Sequence, residues 1–253
     1  MDKLKMRTYL AVLLVVLLLI FSAALYERME DKQANEAYWY YAADNLLCIG
    51  DSLTDGTYFG SDYGGDSIEQ NYPWYLSRML NTEVTNAGAS GRSPSDWYKE
   101  FHDSYDYSDY NVITIWLGTN YAPTNTLAED VEAFSSPEDY AETETGYYCR
   151  IIEDIRKANP DCVILLMNIF ASKSDVAEAN IAIAAIAEHY GLPLLDMSDI
   201  GGDKQPEYHA GLQNPHFGKA GNVLIASRIV EALGEYFAEA PLRCEFGITR
   251  VEE

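Results

Sequence analysis

Basic residues are scarce in this chain. Its 253 residues hold 17 Lys and Arg against 40 Asp and Glu, a formal net charge of −23. Broad contact with nucleic acid needs clustered Lys and Arg to neutralise phosphates, so that class of function is excluded. The same deficit excludes a body that clings to anionic lipid by charge. Cysteine is sparse too: Cys48, Cys149, Cys162 and Cys244 form no CxxC pair and no zinc spacing with histidine. Long Gly/Ser/Pro linkers and internal repeats are missing, which argues for one principal domain. With 48% hydrophobic and 23% charged residues, the composition is globular and excludes collagen, coiled coil and wholesale disorder. The acid excess names no substrate; surface acidity of this kind keeps a protein soluble.

The few basic residues are unevenly placed. Lys3, Lys5 and Arg7 face only Asp2 within residues 1–7, and an apolar run, Tyr9 to Leu25, follows. As a helix, its 17 residues would extend roughly 26 Å, slightly short of a ~30 Å hydrocarbon core. Two readings stand side by side. A signal-anchor would span the membrane with its basic end in the cytoplasm. A signal peptide would be cleaved near Ser22-Ala23-Ala24, whose small residues suit a cleavage site. Either exports the remainder, and the anchor fits the length of the run better.

The expected order is a short cytoplasmic tip (1–8), the anchor or signal (9–25), a spacer (26–44), one domain (45–240) and a tail (241–253). Within the domain, short apolar runs alternate with helical patterns. Strands are expected at Leu46–Ile49, around Val84, at Val112–Leu117, Cys162–Ile169 and Leu192–Leu195. Helices are expected after Pro73, at Tyr147–Ala158, Val176–Tyr190 and Gly218–Ala238. Strands without strict alternation, spaced by helices, predict a parallel sheet covered on both faces. Cys48 and Cys162 fall in such runs and are expected as buried thiols. In parallel sheets, ligands sit at the carboxyl ends of the strands.

Those ends carry small residues beside polar ones. The first expected strand stops at Gly50-Asp51-Ser52-Leu53-Thr54-Asp55-Gly56, and the second runs into Asn86-Ala87-Gly88-Ala89-Ser90-Gly91. The third stops at Gly118-Thr119-Asn120, and Gln213-Asn214-Pro215-His216-Phe217-Gly218 precedes the closing helix. Together they supply a hydroxyl nucleophile (Ser52), an imidazole base (His216) and donors for an oxyanion: the N–H groups of Ser52 and Gly88 and the amide of Asn120. Acyl transfer by a serine needs these parts.

These blocks, in this order, resemble the SGNH (GDSL) hydrolase superfamily from about Leu46 to Leu233. The resemblance implies a flavodoxin-like three-layer α/β/α sandwich with a five-stranded parallel sheet. It further implies ester hydrolysis through an acyl-enzyme, with no cofactor and no metal. Ser52 takes the place of the nucleophile, Gly88 and Asn120 those of the oxyanion donors, and His216 that of the base. Family and location together point to small acyl esters, such as O-acetyl groups on extracellular carbohydrate. A lipase or lysophospholipase acting beside the membrane is the alternative within enzymes.

One position departs from the family pattern. Where an Asp usually stands three residues before the histidine, this chain has Gln213. A neutral amide stabilises imidazolium poorly. Asp196, Asp199 or Asp203 is expected to take the acid's place, or a backbone carbonyl orients His216, or the scaffold is catalytically weakened and only binds. His209 is the rival base, but it lacks the helix entry that follows His216. The acidic, aromatic stretches Tyr58–Asp66 and His102–Tyr110 read as solvated loops without EF-hand spacing. Residues 121–146, just after Asn120, are expected to wall or cover the pocket.

Overall fold

A computed structural model describes residues 12–26, 28–29, 39–41, 43–56, 70–120, 142–169, 176–200, 209–211 and 214–239. The described residues form two compact units, one from Ala43 to Ala232 and one combining residues up to 41 with residues 233–239. In the smaller unit the Trp39 ring stacks on Phe237 with centroids 6.1 Å apart. Gly234 leaves room for that indole, since a Cβ there would lie 3.2 Å from its Nε1. Residues 12–26 are helical with exposed apolar side chains. No helix among the described residues is long and apolar enough to cross a membrane.

The larger unit is built on five parallel strands: β1 (Asn45–Gly50), β2 (Glu83–Gly88), β3 (Val112–Trp116), β4 (Val163–Met167) and β5 (Leu194–Leu195). Their spatial order is β2-β1-β3-β4-β5, the flavodoxin-like arrangement with its switch point between β1 and β3. Central strands β1 and β3 are buried almost throughout, which explains their largely apolar sequence. Alternate residues still face opposite layers. Ile113, Ile115 and Leu117 join a core with Trp97, Ile151 and Ile183. Val112, Thr114 and Trp116 are equally buried but stand outside that cluster, and Tyr72 packs edge-on against Trp116 at 5.8 Å. The sheet is therefore the middle of three layers.

The helices are α1 (Ser52–Asp55), α2 (Tyr72–Leu80), α3 (Pro94–Phe101), α4 (Glu144–Ala158), α5 (Val176–Tyr190) and α6 (Lys219–Glu239). A hairpin of β6 (His209–Gly211) and β7 (Asn214–Phe217) precedes α6. Expected and observed elements agree except at short or polar segments. Helix α3 was not anticipated, although Ser93-Pro94-Ser95-Asp96 is a start signal: Ser93 and Asp96 form a reciprocal capping box. Helix α4 starts earlier than its apolar stripe, because Thr143 accepts a hydrogen bond from the Gly146 amide. The last strand is shortened to Leu194–Leu195.

Cys48 and Cys149 are buried, Cys162 is half-buried, and none of the three forms a disulfide among the described residues. Burial pushes the Cys48 and Cys162 thiols up to about 12, so both behave as neutral groups. Cys244 lies outside the described residues, as do the Tyr58–Asp66 loop and most of 121–146. The His102–Tyr110 stretch is two short 3₁₀ turns, in which Asp106 accepts from the Ser108 amide and hydroxyl and is held below the usual carboxylate range.

Candidate active site

The turn after β1 is shaped by close approach. A Cβ on Gly50 would lie 1.9 Å from Thr54 Oγ1 and 3.0 Å from the Trp116 carbonyl oxygen, so only glycine fits. Asp51 then caps α1, its Oδ1 accepting from the Leu53 amide at 3.0 Å. Burial of this fully enclosed carboxyl pushes it up to about 6, with the Leu53 hydrogen bond opposing the rise. Ser52 opens the helix and is almost wholly buried. Its N–H is one of the donors that a helix start leaves open, and it makes no hydrogen bond among the described residues.

A four-residue helix is too short to be stable alone. Its carboxyl end is fastened by neighbours. Gly56 closes it at φ 76°, Asn86 Nδ2 donates to the Thr54 carbonyl at 3.0 Å, and Asn71 Nδ2 donates to the Asp55 carbonyl at 3.0 Å. The Thr54 hydroxyl shares a buried hydrogen bond of 3.1 Å with the Tyr72 hydroxyl. These supporting residues were not anticipated; their spacing along the chain gives no local signal.

His216 reaches the nucleophile from β7: its Nε2 lies 2.9 Å from Ser52 Oγ across 164 residues of chain. Two contacts hold this strand in place. Phe217 stacks on Trp116 at 6.1 Å. Buried Asn222 donates from Nδ2 to the Phe217 and Gly218 carbonyls, each at 3.1 Å. His209 pairs by its backbone with Phe217 across the hairpin. Two acids weighed as partners for His216 are engaged elsewhere. Asp196 Oδ1 accepts from Ser198 N–H at 2.9 Å and from Asn168 at 2.8 Å, which holds its carboxyl low. Asp199 pairs with Arg228, one contact being 2.9 Å, and is lowered by that guanidinium. Gln213 and Asp203 lie outside the described residues.

The oxyanion donors need one correction. Gly88 is still part of β2, paired with Gly50, and its N–H is taken by Asn86 Oδ1 at 2.9 Å. It is a glycine for a packing reason, since a Cβ there would sit 2.2 Å from the Asp55 nitrogen. Gly91 stands three residues on, in the exposed turn, at φ 76°. Its N–H makes no hydrogen bond among the described residues, and a Cβ would meet open space. Of the two glycines of Asn86–Gly91, the second thus keeps its N–H open among the described residues and the first does not, a difference set by where the strand ends. Asn120 extends from the third turn with Nδ2 3.4 Å from the Arg92 carbonyl, next to Gly91. Gly118 precedes it at φ 126°, and its missing Cβ makes room for Ile169.

The fold and this pairing define a class: a flavodoxin-like α/β protein with a serine–histidine pair beyond the carboxyl edge of its sheet. The chain matches the GDSL-like Lipase/Acylhydrolase family over residues 48–224, and it belongs to that family. No curated protein matches it. Among solved structures it resembles the lipase/acylhydrolase from Enterococcus faecalis, with 15% identity and a TM-score of 0.54, covering 76% of this chain and 96% of that one. The Clostridium thermocellum family 3 carbohydrate esterase is similar at 15% identity and a TM-score of 0.54, covering 77% and 96%. A family two carbohydrate esterase from Clostridium thermocellum, in complex with cellohexaose, matches at 17% identity and a TM-score of 0.56, covering 76% and 64%.

Proposed function

We propose that this protein is a serine esterase that removes small acyl groups, acetyl above all, from carbohydrate. The observation that carries the reading is the 2.9 Å contact between His216 Nε2 and Ser52 Oγ. At that distance the imidazole takes the hydroxyl proton as Oγ attacks the ester carbonyl. The resulting oxyanion is met by the Ser52 N–H, the Gly91 N–H and the Asn120 amide. His216 returns the proton to the leaving alkoxide. Water, deprotonated by the same imidazole, then attacks the acyl-enzyme, and its collapse frees the carboxylic acid and Ser52. No cofactor or metal enters this sequence. The carbohydrate part of the proposal is motivated by relatives on the same fold whose names are carbohydrate esterases.

We also propose that the domain works outside the cell, tethered by the apolar run Tyr9–Leu25 with Lys3, Lys5 and Arg7 left inside. Protease added to intact cells should then degrade the domain. Survival of the domain until the cells are lysed would refute that topology.

The chemistry is tested with the purified full chain and p-nitrophenyl acetate. Ser52→Ala and His216→Ala should each lower kcat by about 10³-fold or more, and Asn120→Ala by about 10²-fold. A fluorophosphonate should label the parent and spare Ser52→Ala. A parent no faster than Ser52→Ala, and unlabelled, would sink the esterase reading. It would favour a binding protein on this scaffold, a second reading that Gln213 in the usual acid position supports. Among p-nitrophenyl esters from C2 to C12, activity should peak at C2, whereas a peak at long chains would favour a lipase.

A further inference from the structure

Asp55 is an ionisable group beside the nucleophile that the mechanism above does not use. It is half-buried, three residues after Ser52. Its Oδ2 accepts the Ser90 N–H at 3.1 Å, 35 residues along the chain. Its backbone is fixed on both sides: its N–H donates to the Asp51 carbonyl at 2.9 Å, and its carbonyl accepts from Asn71 at 3.0 Å. Gly88 lets the Asp55 backbone press against the end of β2. Asn86 ties the same two elements once more, through the Thr54 carbonyl and the Gly88 N–H.

We propose that Asp55 is a positioning residue that sets the oxyanion turn, holding the Ser90 peptide so that the neighbouring Gly91 N–H points where Ser52 reacts. The proposal rests on the esterase reading and adds to it a residue that touches no reacting atom. The turn needs such a clamp. Gly91 is in the left-handed region of a turn closed by the Arg92 N–H to the Ala89 carbonyl at 3.2 Å. Nothing packs where its Cβ would be, so the turn has a shape of its own but no side chain at Gly91 to seat it against α1. A carboxylate accepts an N–H more strongly than a neutral oxygen does. Because Asp55 and Ser52 share one short helix, the clamp ties the donor to the nucleophile itself. A displaced donor of about 1 Å costs on the order of 10²-fold in rate.

The test compares Ser52→Ala, Asp55→Ala and Asp55→Asn with the parent on p-nitrophenyl acetate, together with inhibition by phenylboronic acid, which forms a tetrahedral adduct on serine. Asp55→Ala should lose about 10- to 100-fold in kcat with KM within about twofold, and its boronate Ki should rise in step. Asp55→Asn keeps an oxygen for the Ser90 N–H and should stay within about threefold of the parent. If Asp55→Ala does not fold, Asp55→Ser carries the test, because its hydroxyl falls short of Ser90 and should give the same loss. Parental kcat in the Ala or Ser variant would overturn the proposal alone. So would equal losses in Asp55→Asn and Asp55→Ala with raised KM, which would make the carboxylate a substrate ligand. A parent no faster than Ser52→Ala would overturn the esterase reading and this one with it.

Discussion

The Tyr72 hydroxyl lies 3.1 Å from the Thr54 hydroxyl, joining α2 to the one-turn helix that begins with Ser52. Tyr72 is fully buried, and burial holds its phenol well above the ordinary range, so the group stays neutral and able to donate. Tyr72→Phe keeps the ring against Trp116 and removes the hydroxyl that hydrogen-bonds Thr54. It leaves a buried hydroxyl short of a partner, which should cost about 1–3 kcal/mol in urea denaturation. Thr54→Val should cost a similar amount. The double variant should cost clearly less than the sum, because neither hydroxyl is then stranded. Strict additivity would show that the two groups do not support one another.

Asn222 offers a second check on how the base is held. Its amide donates to the carbonyls of Phe217 and Gly218, directly after His216. Asn222→Ala removes the buried side-chain donor from the Phe217 carbonyl, while the Gly218 carbonyl keeps the backbone N–H of residue 222 at 3.0 Å, and it frees β7 to shift. Thermal stability should fall by the equivalent of about 2–4 kcal/mol, and kcat should fall with KM little changed. Asn222→Asp should be worse than Asn222→Ala at pH 8, since a carboxylate cannot donate and repels both oxygens. An Asp variant as stable as the parent would refute the assigned hydrogen bonds.

The two glycines of the second turn should respond differently to a methyl group. In Gly88→Ala the new Cβ would lie 2.2 Å from the Asp55 nitrogen, so α1 and β2 must separate. That should cost about 3 kcal/mol or more, above ordinary overpacking, because backbone rather than a side chain is displaced. Gly91→Ala meets open space and is burdened only by its φ of 76°, about 1–2 kcal/mol. Urea denaturation of the two variants should keep that order. A reversed order would place the strand end elsewhere.

How legible this was in the sequence depends on what each residue answers to. Strands β1 and β3 were readable because a central parallel strand buries both faces, and Leu46–Ile49 is wholly apolar while Val112–Leu117 is apolar but for Thr114. Ser52, Asn120 and His216 were readable because they follow such runs or precede a helix, and the structure brings Ser52 and His216 together. The choice between Gly88 and Gly91 was not readable. It turns on where β2 stops, and β2 is a polar edge strand, Glu83-Val84-Thr85-Asn86-Ala87-Gly88, with no hydrophobic signal to mark its end. Asn71, Asn86 and Asn222 were invisible for a related reason. An amide that caps a carbonyl on another element carries no local pattern, and only the fold reveals what it caps. Asp196 and Asp199 were reasonable partners for His216 by position, until Asn168, Ser198 and Arg228 were seen to engage them.

Asp51 makes stability depend on pH in a direction opposite to that of a paired carboxylate. Burial raises it from 3.8 to about 6 in the fold, so between those values the folded state holds a proton that the unfolded chain has lost. Stability therefore falls as pH rises through that window, and the penalty is fully present above about 6. Its size is on the order of 3 kcal/mol. Asp51→Asn keeps an oxygen for the Leu53 amide and cannot ionise. Repulsion among the chain's other acids acts equally in both proteins, so the difference between them isolates Asp51. About half of the penalty develops between pH 5 and pH 8, so over that range the parent should lose about 3–6 °C more in Tm than Asp51→Asn does. Parallel curves across that range would mean that the Asp51 carboxyl is ionised in the fold as readily as in the unfolded chain.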